Sequence, residues 1–208
     1  MTSGLIAIKG DHIDQLTTIF GFFNLTDTGK EEVLTSWEAA ENIIDDEYMN
    51  PADGLQRRIV WVDNGWTIIE DYSFLLCMDE EAMATVSRTF KTPVFSLQTI
   101  GTSGCYGFHY YHLEKLRSFF NEDGKVVDNF GKPLPEETGY NFNTDAFYDD
   151  IHGLARNLGI NLDNAANVGR YIVKHLSDNT AVDFLAPQSL QQQQPDHTAV
   201  RKPWWKIW

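Results

Sequence analysis

The sequence predicts an α+β fold: an antiparallel sheet of about five to seven strands flanked by helices, ending in a C-terminal helical pair. Three observations predict it. The stretch Pro93 to Val127 reads as closely spaced strands, PVFSLQTI, CYGFHYYH and KLRSFFNE, then a Gly turn and KVV, rich in aromatic and β-branched residues. The run RRIVWV-DNG-WTIIED places turn residues between two alternating apolar arms, the pattern of a β-hairpin. Apolar residues at helical spacing lie on both sides of these strands.

Taken in order, Leu5 to Ile8 is a short strand, and Ile13, Leu16, Ile19 and Phe20 repeat at helical spacing up to Phe22 and Phe23. Thr28 and Glu31 have the spacing of a capping box, so a helix is expected there with Val33, Trp37, Ala40 and Ile44 on one face. Asp45 to Gly54 is a polar loop. Arg57 to Val62 and Trp66 to Glu70 form the hairpin arms. Which way they face is open, because a turn of two or three residues reverses every side chain. Asp79, Glu80 and Glu81 open a helix carrying Met83, Val86 and Phe90, since carboxylates favour the positive end of the helix dipole. Gly101 to Gly104 and Leu113 to Glu114 separate the central strands. After Val127 the run NFGKPLPEETGYNFN predicts a long loop. A helix follows from Asn143 or Thr144 with Phe147, Ile151, Leu154 and Leu158 on one face, stopping at Gly159. A second helix is expected from about Asp163, burying Ala166, Ile172, Val173 and Leu176.

Residues 1–186 are read as one domain, and residues 187–208 as a Gln-rich linker with a Trp-rich tail. The chain has 208 residues, 30 acidic against 16 basic, for a net charge of -14. That balance opposes binding to a phosphate backbone or an anionic membrane and favours a basic protein partner. No stretch approaches the roughly 20 apolar residues of a membrane span. Two cysteines, Cys77 and Cys105, and an N-terminus without a basic, apolar leader point to a reducing cytoplasm.

Candidate sites are weighed against ordinary packing. His109 and His112 are three apart on a strand and point to opposite faces, so one metal ion is not expected between them. Asp145, Asp149 and Asp150 with His152 have acid/base chemistry, although acidic residues are favoured at a helix start in any case. Cys105 near His109 lacks an oxyanion loop and is read as packing. No cofactor or metal motif is complete. The residues assigned to partner binding are Glu70, Asp71, Tyr110, Tyr111, His112, Glu136 and Glu137, with Trp204, Trp205 and Trp208 of the tail.

GWTIIED, the acidic-start helix, SGCYGFHYYH, EKLRSFF and GKPLPEE together resemble small uncharacterised bacterial α+β proteins over Arg57 to Glu137, among them immunity proteins of polymorphic toxin systems. The resemblance implies a non-catalytic protein that binds another protein, a basic toxin domain, in the bacterial cytoplasm. It carries no catalytic motif. The alternative is a hydrolase-type enzyme with a carboxylate/His site, either Asp149 with His152 or Glu70 near His109 or His112. A homo-oligomer joined through the C-terminal tryptophans is a third reading.

Overall fold

The Asn64-Gly65 turn sets the register from which the sheet is built. Both residues take positive φ, +49° and +71°, the mirror-image turn whose twist matches that of its strands. Asp63 therefore pairs with Trp66, and Trp61 with Ile68. The open question of the hairpin's face is answered by this two-residue turn: Ile59, Trp61, Trp66 and Ile68 all share one side.

The computed structural model describes residues 2–49, 55–143 and 146–178. Asp145, the Gln tract and Trp204, Trp205 and Trp208 lie outside the described residues. The strands are β1 (Thr2–Lys9), β2 (Leu25–Leu34), β3 (Leu55–Asp63), β4 (Trp66–Glu70), β5 (Pro93–Ile100), β6 (Cys105–His112), β7 (Glu114–Glu122), β8 (Lys125–Gly131) and β9 (Tyr171–Asp178). The helices are α1 (Leu16–Phe22), α2 (Trp37–Met49), α3 (Glu80–Phe90) and α4 (Tyr148–Asn157). One nine-stranded sheet runs in the order β2-β9-β3-β4-β1-β5-β6-β7-β8. Every neighbouring pair in it is antiparallel.

Period-two alternation divides the core between the two faces of this sheet. Leu5, Ala7, Ile59, Trp61, Trp66, Ile68 and Phe108 pack with Ala40 and Ile44 of α2 and Ile151 and Leu154 of α4. On the other side Ile6, Ile8, Val60, Ile69 and Val94 pack with Ile19 and Phe20 of α1 and Met83 and Val86 of α3. Asp79 caps α3 by accepting the Ala82 N–H at 3.0 Å, a contact of about 1 kcal/mol. The Trp66 indole N–H donates to the Leu158 carbonyl at 3.1 Å and ties the end of α4 to the hairpin.

The α+β class, the hairpin, α3 and the strands β5 to β7 are as the sequence predicts; α4 is present with Ile151 and Leu154 buried, but it begins at Tyr148 rather than at Asn143 or Thr144, and Phe147 is exposed. The strand count is not: nine strands stand where five to seven were expected. The segment from Thr28 to Leu34 is β2 rather than the start of a helix, which begins only at Trp37. Thr28 does not cap a helix; its hydroxyl donates to the His175 carbonyl at 2.8 Å. The expected C-terminal helical pair is also corrected. A short 3-10 turn, Leu162–Asn167, precedes β9, which inserts between β2 and β3. Ile172, Val173 and Leu176 are buried as expected, but from a strand enclosed on both faces, where apolar residues run together instead of alternating. β8 extends through Gly131 into what the sequence presented as loop.

Candidate functional site

The end of β4 carries two adjacent carboxylates with opposite fates, because successive strand residues face opposite sides of the sheet. Asp71 is fully buried and meets Arg58 at 3.1 Å. It also accepts the N–H groups of Leu76 at 2.7 Å and Cys77 at 3.0 Å and the Ser73 hydroxyl at 3.0 Å. Its oxygens are committed to the interior, where they hold the segment that follows β4, so Asp71 is a structural residue and presents nothing to a partner.

Glu70 pairs across the sheet with Leu5 and turns to the α2/α4 side. There it borders a cleft of about 380 Å³, together with Trp37 and Glu41 of α2, Trp61 of β3, Tyr72, Tyr148 and His152 of α4, and Asp163. Trp37 meets Trp61 edge-on, with ring centroids 5.3 Å apart at 80°. Tyr148 stacks on His152 at 3.8 Å, one helical turn away on the same face. Arg156 is drawn off to Asp163 at 3.0 Å on the exposed side of the helix. Among the described residues, no Lys or Arg lines the cleft.

Three of these residues each keep one buried polar atom without a hydrogen-bond partner: Glu70 Oε2, Trp61 Nε1 and His152 Nε2. Buried polar atoms are otherwise nearly always paired, because an unmet one costs about 1–3 kcal/mol. Arg58 Nε, Gln98 Oε1, Tyr111 Oη, Asn121 Oδ1 and His175 Nδ1 also lack a partner but lie away from this cleft, whereas three such residues line it, which makes it the candidate site. Burial drives the titration of this group apart. It pushes the Glu70 carboxyl up to about 8, with a hydrogen bond from Tyr72 pulling against it and the Glu41 charge adding to it. Burial pulls His152 down to about 4, opposed by the charges of Asp163 and Asp149 and aided by Arg156. At neutral pH a carboxylic acid and an uncharged imidazole are thus both among the residues that line the cleft.

The sequence named Glu70 and His152 in separate pairings, Glu70 with His109 or His112 and His152 with Asp149. The structure joins the first members of those pairs instead. His109 lies on the opposite side of the sheet, buried, with Nε2 3.4 Å from Glu80 of α3 and Nδ1 3.3 Å from the Ser96 hydroxyl. Ser96 is itself buried beneath the Cys77 carbonyl, 3.3 Å away, and offers no approach to a substrate. His112 and Asp149 are exposed. Cys77 is buried and Cys105 half-buried, and burial raises both thiols above their ordinary range. Among the described residues, no group of three His, Cys, Asp or Glu is placed to hold a metal ion.

Of the other assigned residues, Tyr111 is buried, and burial followed by the Glu80 and Asp79 charges pushes its hydroxyl up. Glu137 is buried as well and grips Arg117 by two bonds, Nε to Oε1 at 2.8 Å and Nη2 to Oε2 at 3.1 Å. Both belong to the interior. Tyr110 and Glu136 are half-buried and near each other, the Glu136 charge adding to burial in raising the Tyr110 hydroxyl. Sequence reasoning missed Trp37, Glu41 and Trp61 as cleft residues. The Asn-Gly turn was the signal for Trp61, since a two-residue turn puts it on the same face as Trp66.

No helix among the described residues is long and apolar enough to cross a membrane. Comparison with protein-family models, curated proteins and solved structures finds no match to this chain.

Proposed function

We propose that the protein works by binding a basic protein partner, in the manner of a toxin-neutralising immunity protein in a bacterial cytoplasm. The observation that carries this reading is the wall of the cleft: carboxyl groups of Glu41, Glu70 and Asp163, the last paired with Arg156, line it together with Trp37, Trp61, Tyr72 and Tyr148. A net charge of -14 supports it, because an acidic body speeds encounter with a basic partner and disfavours nucleic acid. Apolar side chains add contact surface on β8, the last strand of the sheet among the described residues, where Val127 is 53% and Phe130 49% exposed. Co-expression with the product of the neighbouring gene, followed by affinity capture and a growth assay, tests the reading. A stable complex and protection from toxicity are expected; neither complex nor protection would refute it. A homo-oligomer through the tail is tested separately, by deleting Lys202 to Trp208 and measuring mass in solution, where an unchanged mass removes that idea.

One observation favours a second reading as a hydrolase-type enzyme. Glu70 and His152 share a cleft while their proton affinities are driven apart, which is how acid and base roles are assigned to a pair of catalytic groups. Turnover of ester or amide substrates that disappears in both Glu70→Gln and His152→Ala would establish it. Turnover that persists in both would exclude this pair as its source.

A further inference from the structure

Three residues that line the cleft each carry an orphaned atom, and each such atom states what a ligand has to bring. Glu70 Oε2 has no partner and belongs to a carboxyl that burial holds against ionisation, next to the second carboxylate of Glu41. His152 Nε2 belongs to a neutral ring, so it serves as an acceptor in the tautomer that protonates the other nitrogen. Both are met by a group with several N–H donors and a positive charge. Trp61 Nε1–H is a donor only and requires an acceptor. Trp37, Tyr72 and Tyr148 line the same cleft, Tyr148 with one face stacked on His152. Trp61 and His152 are 3% and 7% exposed, so a ligand reaches their orphaned atoms only as the side chains over them shift.

We infer that this cleft receives an arginine residue of a protein partner, with its guanidinium on Glu70 and His152 and its plane against the aromatic wall. The inference rests on the binding reading above. A guanidinium is flat, more weakly hydrated than an ammonium and able to stack while donating in its plane, so arginine suits a buried aromatic slot where lysine does not. An arginine inside a peptide also has a carbonyl oxygen next to its side chain, which is the acceptor that Trp61 needs and a free guanidinium lacks. A volume of about 380 Å³ accommodates one such residue and is small for a nucleotide-sized cofactor.

Binding and proton loss are coupled in this arrangement. The titratable and charged groups around Glu70 are Glu41 on α2, Tyr72 after β4, Tyr148 and His152 on α4, and Asp163, with Asp149 and Arg156 on the outer face of α4. An incoming cation offsets both causes that keep the Glu70 proton in place. One unit below a pKa of about 8, roughly nine in ten Glu70 carboxyls are protonated at pH 7, so binding releases close to one proton.

The test is calorimetric titration of the full chain at pH 7 with N-acetylarginine amide, its lysine counterpart and its citrulline counterpart, in two buffers of different ionisation enthalpy. Expected are saturable binding of the arginine probe, at least about tenfold weaker binding of the lysine and citrulline probes, and release of nearly one proton. Glu70→Gln is expected to abolish proton release and weaken binding about tenfold or more, and Glu41→Gln to weaken it less. Glu38→Gln, an exposed carboxylate on α2 outside the cleft, is expected to leave binding unchanged. No binding at 10 mM probe, equal affinity for citrulline, or unchanged proton release in Glu70→Gln would overturn the inference. The two failures are distinguishable. Partner capture that survives Glu70→Gln and Glu41→Gln leaves the binding function standing and removes the cleft from it, whereas arginine binding without partner capture does the reverse.

Discussion

Replacing Asp71 by Asn tests whether the second carboxylate of the β4 terminus is a structural or a partner-facing group. Asn keeps the shape and removes the charge, which leaves the Arg58 guanidinium buried at 3% exposure with only neutral acceptors: Gln56 Oε1 at 2.9 Å, the Arg57 carbonyl at 2.8 Å and the Ser73 hydroxyl at 2.6 Å. Breaking one side of a buried ion pair costs about 3–5 kcal/mol, since the surviving charge has lost its compensation. With a urea dependence of about 2.5 kcal/mol per molar for a domain of this size, the midpoint falls by about 1–2 M. The assay is equilibrium urea unfolding followed by circular dichroism, with Arg58→Met and the double variant completing a cycle. The double variant is expected to cost clearly less than the sum of the two single changes, because it removes both charges together. A loss below about 1 kcal/mol in Asp71→Asn, or strict additivity in the cycle, would refute the assignment of Asp71 to the interior.

Stability is expected to pass through a maximum near pH 6.5. His109 and His152, both pulled down to about 4 mainly by burial, bind fewer protons folded than unfolded between pH 4 and 6.5, so stability rises with pH across that window. Glu70, pushed up to about 8, binds more protons folded than unfolded between pH 4.5 and 8, so its contribution falls as pH rises there. Thermal unfolding across this range should show both limbs, and Glu70→Gln should flatten the alkaline one; an unchanged slope between pH 6.5 and 8 would contradict the placement of Glu70. Gly107→Ala puts a Cβ 2.0 Å from Phe120 Cδ1, so the ring has to leave its seat over β6. A loss of about 1–3 kcal/mol in urea unfolding is expected, and a neutral result would count against that packing. Glu137→Gln strips the charge from the Arg117 pair that fastens the Pro135–Glu137 turn to β7. Limited proteolysis should then cut within residues 132–143 faster than in the unaltered protein, and an equal rate would contradict this anchoring role.

Local chemistry explains what the sequence disclosed. The Asn-Gly turn, the acidic start of α3 and the aromatic strands β5 to β7 each declare themselves within a few residues, and the structure follows them. β9 does not, because it is enclosed by β2 and β3 and its run YIVKHL lacks the alternation of a half-exposed strand. Its Lys174 and His175 look like surface residues until β2 brings Asp27 at 2.8 Å and Glu31 at 2.9 Å to the lysine and Glu32 at 2.9 Å to the histidine. The cleft was half visible. Glu70 and His152 both have the chemistry of a site and were both singled out, but they are joined only by the packing of α4 on one face of the sheet, a long-range contact to which no local spacing points. Asp71 and Glu137 were misjudged for the converse reason: exposed by composition, they are each enclosed by an arginine supplied from elsewhere in the chain.

Carboxyl-carbon magnetic resonance of Glu70 as a function of pH, with and without N-acetylarginine amide, tests the binding role of the cleft most directly. The free protein is expected to show Glu70 titrating near 8, and saturation with the arginine probe to move that midpoint below about 6. A Glu70 that titrates in the ordinary carboxylate range, or whose midpoint does not move when the probe is added, would contradict it.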